Sequence, residues 1–142
     1  MLIEQLSVFV ENKQGKLLEA LKTLALSGID LRALSLADTA DYGILRIIVN
    51  KPAEALRALQ DAGYLVRSNE VIPVSIGDEP GGLASVLLVL ADAGVNVEYT
   101  YAFVSHEAGK AYVILRVDDN DAALKTLQAS SIKLLSPADL YG

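Results

Sequence analysis

The chain repeats itself. Shifted by 66 positions, NKQGKL (12–17) falls on DEPGGL (78–83). Gly15 then meets Gly81 and Leu17 meets Leu83, while Leu21, Leu24, Ala25 and Gly28 meet Leu87, Leu90, Ala91 and Gly94. The same shift sets GIDL (28–31) on GVNV (94–97). Further along the shift becomes 68, and GILRIIVNKPAEAL (43–56) faces AYVILRVDDNDAAL (111–124). The two extra residues fall in HEAGK (106–110), where a hairpin tolerates insertion. A duplication across 142 residues constrains the fold strongly: whatever one half forms, the other must form too.

Each half reads as the same series of elements. LSVFV (6–10) alternates as a strand does, and Leu17, Leu18, Leu21, Leu24 and Ala25 recur at helical spacing up to Gly28 as the C′ residue. A strand over 29–37, a turn over 38–43 and a β-branched strand over 44–49 follow. Pro52 opens a second helix, and 64–71 reads as a fourth strand. The second half repeats this with strands over 70–76, 95–105, 110–117 and 132–136 and helices over 80–93 and 120–129. The order βαββαβ is that of a ferredoxin-like α+β unit, an antiparallel sheet with two helices on one face. We therefore expect two such units, 1–69 and 70–142, with Pro73 as a bend or edge position between them. LASVLLVLADAG (83–94) is apolar nearly all round, which predicts a helix covered on more than one side. Tyr99, Tyr101 and Phe103 alternate in step with Val97, which reads as core packing under the helices, with a tyrosine available to line a side-chain pocket.

Composition narrows the function. With 52% hydrophobic and 21% charged residues the chain is globular. The net charge is −6 and Lys and Arg are scattered, which argues against nucleic acid as a partner. The longest apolar run, Leu83 to Ala91 broken by Ser85, is far short of the roughly 20 residues that span a bilayer. The N-terminus has no basic stretch ahead of an apolar one. No membrane partner is expected, and the location expected is the cytoplasm. There is no cysteine, His106 stands alone in a hairpin, and DDND (118–121) reads as a helix cap rather than a calcium loop. No metal, no cofactor and no catalytic residue is expected.

NKQG and DEPG allow two readings. Asn12 and Asp78 are favoured N-cap types and Pro80 suits a first helical turn, so both stretches can simply start helices. A strand-to-helix turn also leaves backbone N–H groups unpaired in a positive potential, and a glycine there admits a ligand close to the backbone. The second reading makes a pocket for a small carboxylate.

A βαββαβ unit with N/D-x-P/x-G-x-L ahead of its first helix and G-I/V-N/D-I/V after it resembles an ACT domain, and two in about 140 residues resemble the small tandem ACT proteins. The resemblance covers essentially the whole chain. It implies a regulatory module that binds an amino acid, or a related carboxylate, where two ACT units meet. In the serine-binding type, similar to that of phosphoglycerate dehydrogenase, the loop Asn and the strand Asn of a facing unit hold the ligand. Those positions here are Asn12 and Asp78 in the loops and Asp30 and Asn96 in the strands. Gln14, Gly15, Lys16 and Leu17 complete one loop, and Pro80, Gly81, Gly82 and Leu83 the other. Val10 and Ile76 stand where that type has a polar residue, which with the tyrosines nearby points away from serine and toward a larger or apolar side chain; Gln14 also stands where the family has proline. If the halves face each other, one composite site joins Asn12 with Asn96 and the other joins Asp78 with Asp30. Two carboxylates around one ammonium repel, so the first is the better amino-acid site.

Other ferredoxin-like families fit less well. Acylphosphatases need an arginine in the first loop, RNA binders need aromatics on the central strands, and metal chaperones need C-x-x-C. The expectation is a non-catalytic sensor, paired as a homodimer through exposed sheet edges and acting on an enzyme of amino-acid metabolism. The alternative is an interaction module that docks onto a metabolic enzyme in trans and binds no metabolite.

Overall fold

The computed structural model describes residues 1–103 and 105–141; Val104, in the strand expected over 95–105, and Gly142 lie outside the described residues. The chain forms two compact units: Glu4–Asn69, and Met1–Ile3 together with Glu70–Gly142.

The N-terminal unit holds β1 (Ile3–Glu11) from Glu4, α1 (Lys16–Leu26), β2 (Leu31–Asp38), β3 (Tyr42–Val49), α2 (Pro52–Asp61) and the start of β4 (Leu65–Gly77). Its strands lie in the order β2-β3-β1-β4, and β3 is antiparallel to both β1 and β2. Alternation sends Leu6, Val8 and Val10 of β1 and Leu45, Ile47 and Val49 of β3 toward the helices. Ala20 and Leu24 of α1 and Ala55 and Leu59 of α2 close that core. Each fully buried leucine among them adds about 1.5–3 kcal/mol.

The C-terminal unit takes β4 from Glu70 and continues with α3 (Gly82–Asp92), β5 (Val97–Phe103), β6 (Lys110–Val117), α4 (Asn120–Ala129), β7 (Lys133–Leu134) and α5 (Pro137–Tyr141). Its order is β5-β6-β4, with β7 on the other side of β4. Ile72, Val74, Ile76, Val113, Leu115 and Val117 face Val86, Leu90, Ala123 and Leu127 in its core. Asp119 caps α4 by accepting from the Ala122 N–H. Both units are α+β and ferredoxin-like.

The structure departs from the sequence reading at several points. Pro73 neither ends nor bends off the strand. It pairs with Ile114 of β6, and its carbonyl accepts from the Leu135 N–H at 2.9 Å. A strand residue points its nitrogen and carbonyl to the same side. The missing N–H therefore faces β7, whose ladder with β4 covers only Val74 and Ser75.

Both second strands carry a bulge. Leu31 pairs with Val49 but Ala33 with Ile48, leaving Arg32 extra; Val97 pairs with Val117 but Tyr99 with Arg116, leaving Glu98 extra. The bulge turns the following residues over. Val97 packs on the helix-facing core, whereas Tyr99, Tyr101 and Phe103 pair with Arg116, Ile114 and Tyr112 on the opposite face. The Phe103 and Tyr112 rings stand 5.4 Å apart there. These aromatics do not pack under the helices, because alternation cannot be read across an uncounted residue. The apolar helix α3 also has an open side: Leu88 is 61% exposed.

Helix α5 was not expected. Its start is a reciprocal cap in which Asp139 Oδ2 accepts from the Ser136 N–H at 2.8 Å and from Ser136 Oγ at 3.0 Å. The Asp139 N–H in turn donates to Ser136 Oγ at 3.3 Å. The bond from the Ser136 backbone, then that from its hydroxyl, holds the Asp139 carboxyl below the usual carboxylate range. A lowered carboxyl pKa stabilises the fold above the unfolded-state value, and that contribution is lost as the pH falls through the folded-state value. Asp139→Asn is expected to speed amide exchange at Leu140 near neutral pH, the variant and the native chain converging in acid. Equal exchange in the two at neutral pH would contradict this role.

Candidate functional site

The two glycine loops are built alike. The Asn12 N–H donates to the Asp41 carbonyl and the Asp78 N–H to the Gly109 carbonyl, each at 3.0 Å, so both loops hang from the hairpin leading into the unit's third strand. Neither Asn12 nor Asp78 caps a helix. The N-cap residues are Gly15 (φ 82°, ψ −8°) and Gly81 (φ 84°, ψ −1°), and no side chain bonds to either helix start. Asn12 and Asp78 stand three residues too early to reach the helical N–H groups. Gln14 and Pro80 precede the N-cap, so Pro80 does not occupy the first turn. At Gly15 and Gly81 a Cβ would have open space, and it is the left-handed backbone that demands glycine.

The first in-helix bonds are Glu19 N–H to the Gly15 carbonyl and Ser85 N–H to the Gly81 carbonyl, both 3.0 Å. The N–H groups of Leu17, Leu18, Leu83 and Ala84 therefore precede the helical ladder, at the positive end of the dipole. The loops differ one residue later. Lys16 extends a side chain that ion-pairs with Glu19 at 3.5 Å. A Cβ on its counterpart Gly82 would overlap the Gly77 carbonyl oxygen, so only glycine fits there.

The second motif is also duplicated in its bonding. The Asp30 N–H donates to Asn50 Oδ1 at 3.0 Å and the Asn50 N–H to the Asp30 carbonyl at 3.2 Å. The Asn96 N–H donates to Asp118 Oδ1 at 3.0 Å and the Asp118 N–H to the Asn96 carbonyl at 3.1 Å. The side chains differ: the Asp30 carboxylate pairs with Arg32 at 3.4 Å, whereas the Asn96 amide makes no bond among the described residues. The Asn12 amide is likewise unengaged among them, and both asparagines are exposed.

Within a unit the two motifs stand apart. Glu11 pairs with Tyr42 at one end of β3, and Leu31 pairs with Val49 at the other. Eight residues of β3 place Asn12 and Asp30 roughly 23 Å apart along the strand. Asn12 and Leu17 instead share a notch of about 80 Å³ with Val10, Leu36 and Asp38. Lys16 lines a larger groove of about 560 Å³ with Phe9, Glu11, Glu19, Tyr42 and Tyr64. Leu36, Asp38, Tyr42 and Tyr64 were missed by the sequence reading. The hairpin that returns the chain past Gly43 brings the first three, a long-range pairing that no local motif signals. Among the described residues no group of three His, Cys, Asp or Glu could hold a metal, and no helix is long and apolar enough to cross a membrane.

Residues 1–141 match the family model described as an ACT domain pair, and the chain belongs to that family. It is similar to the crystal structure of protein BT0572 from Bacteroides thetaiotaomicron, with 40% identity and a TM-score of 0.92, covering 99% of this chain and 96% of that one. It shares its fold with the ligand-free regulatory subunit of aspartate kinase from Thermus thermophilus, at 17% identity and a TM-score of 0.65, covering 92% and 97% of the two chains. The regulatory subunit of aspartate kinase from Thermus flavus is similar at 19% identity and a TM-score of 0.65, covering 92% and 95%. Among curated proteins none matches.

Gly81→Ala must place a Cβ on a left-handed backbone and is expected to cost about 1–2 kcal/mol. Gly82→Ala, which meets backbone rather than open space, should cost more. Urea unfolding of the two variants measures both, and the reverse order would contradict the turn geometry.

Proposed function

We propose that this chain is a non-catalytic regulatory protein that binds a small amino acid, or a related carboxylate, where two ACT units meet. The observation that carries the reading is the pairing of an uncapped helix start with the Asn12 amide, while the Asn96 amide, also without a partner among the described residues, stands just ahead of a second strand. Each unit keeps its loop and the start of its second strand at opposite ends of the sheet. A ligand held by both kinds of residue therefore needs a loop from one unit and a strand from another, as the family resemblance implies.

In this reading the α-carboxylate takes the open N–H groups at the helix start, and the amides of Asn12 and Asn96 fix the polar atoms. Val10 in the notch selects a side chain larger or less polar than that of serine. Asp30 is the weaker partner, because Arg32 already occupies its carboxylate. Binding across a unit interface couples ligand to the docking of units, and the ligand's differential affinity sets the size of the response. The protein acts in the cytoplasm as a homodimer, on an enzyme of amino-acid metabolism; the name of the Thermus relatives supports a partner of that kind.

A thermal-shift screen of the common amino acids is the first test. A ligand at 100 times its dissociation constant should stabilise the protein by about 2.7 kcal/mol. No shift with any of them at millimolar concentration would overturn the sensor reading and favour a module that docks onto its enzyme without a metabolite. Exposed Leu18, Leu26 and Leu88 on the helices are the surface such docking would use.

The choice of site is tested separately by calorimetry. Asn12→Ala and Asn96→Ala should each weaken binding at least tenfold, while Asp30→Ala leaves it within about twofold, the tenfold loss being about 1.4 kcal/mol. Loss confined to Asp30→Ala would place the ligand at the acidic pair instead.

A further inference from the structure

Each unit has a cavity in the same place, between the end of its first strand, the start of its first helix and the turn into its last strand. In the N-terminal unit this is the groove of about 560 Å³, whose lining includes Ala62 to Leu65. In the C-terminal unit it is a cavity of about 290 Å³ lined by residues at the repeat-equivalent positions. The backbone is duplicated but the chemistry is not. Ser75 replaces Phe9, Ser85 replaces Glu19, Lys110 replaces Tyr42, Ser131 replaces Gly63 and Lys133 replaces Leu65. One lysine against two glutamates (Lys16; Glu11, Glu19) becomes two lysines against one (Lys110, Lys133; Glu79). The sign of the cavity reverses in a chain whose net charge is −6.

We propose that the C-terminal cavity binds the phosphate group of a small metabolite. Lys133 stands opposite Ser75 across β7 and β4, and Lys110 stands opposite Gly77 across β6 and β4. Two residues along β4 return to the same face, so both lysines flank Ser75 on the face of the sheet turned away from α3, with Cα atoms roughly 12 Å apart. Their stems are long enough for the two ammonium groups to converge on one anion, which must displace the Glu79 carboxylate lying against Gly77 on that face. Ser75 is 8% exposed, and its hydroxyl has no hydrogen-bond partner among the described residues. A buried hydroxyl left unpaired is costly, and a phosphate oxygen would satisfy it. Ser131 keeps the turn of its counterpart Gly63 at a positive φ of 58° despite carrying a side chain. No carboxylate pairs with Lys110 among the described residues. Lys133 pairs with Glu107 at 3.8 Å, an exposed contact of the kind an incoming anion displaces readily.

The cavity shares Glu79 and Gly82 with the second glycine loop but lies away from Asn96. It opens on the β7 side of β4, whereas β5, which follows Asn96, lies beyond β6. A volume near the lower end of small-ligand sites suits a phosphate with a short organic tail.

The test is a titration of the isotopically labelled full chain with inorganic phosphate at constant ionic strength, read by amide NMR. Saturable shifts are expected at Gly77, Gly82 and Ser131 and not at Glu11, Lys16 and Gly63, the N-terminal cavity serving as an internal control. Combining Lys110→Tyr with Lys133→Leu, the residues of the other unit, should abolish these shifts while the remaining amide spectrum stays native. Glu107→Gln should tighten binding severalfold. Shifts that never saturate, that are equal in both cavities or that survive the double variant would overturn the proposal. So would acetate saturating the same amides as tightly as phosphate.

Discussion

Each unit depends on one backbone bond that joins parts of the chain far apart in sequence. The Asn12 N–H reaches the Asp41 carbonyl, and the Asp78 N–H reaches the Gly109 carbonyl. This bond fixes where the first strand stops and lets three residues pass before the helix begins. The left-handed glycine then turns the chain into the helix axis. Helix N–H groups that an ordinary cap would consume are left open as a result. The candidate site is therefore a by-product of how the turn is closed rather than of any added loop.

The duplication carried most of the fold. Element order, helix faces and the equivalence of the two halves follow from apolar spacing at a constant offset. What escaped is of two kinds. The N-cap reading of Asn12 and Asp78 failed because residue type was right but distance was wrong: a side chain caps only the helix start it immediately precedes. The faces of Tyr99, Tyr101 and Phe103 were misread because a single extra residue inverts alternation, and Glu98 carries no mark of being extra. Helix α5 was legible in principle, since Ser136-Pro137-Ala138-Asp139 has the spacing of a reciprocal cap.

The site was legible as a set of positions and not as a set of partners. Asn12, Gly15, Asp30 and Asn96 were singled out by type and offset, and the resemblance to ACT domains proposed their ligand role. Their bonding was not, because it depends on Arg32, Asn50 and Asp118, which reach them through strand pairing. Those pairings also separate the two motif positions within each unit, by the length of β3 in one and of β6 in the other. Side chains diverge between the halves where the backbone repeats: Gly82 stands in place of Lys16 and Ser75 in place of Phe9. The two copies keep one backbone and have become chemically unequal around it.

The paired bulges at Arg32 and Glu98 bear on how such a chain can change. The two residues have opposite charge, so what the two halves share there is the residue count and not the side chain. Substitution at either position leaves the register intact, whereas removing the residue would transpose every later side chain of that strand to the other face of its sheet. Tolerance to exchange and intolerance to deletion coexist at the same position. Of the two kinds of mutation, only the second reads the bulge.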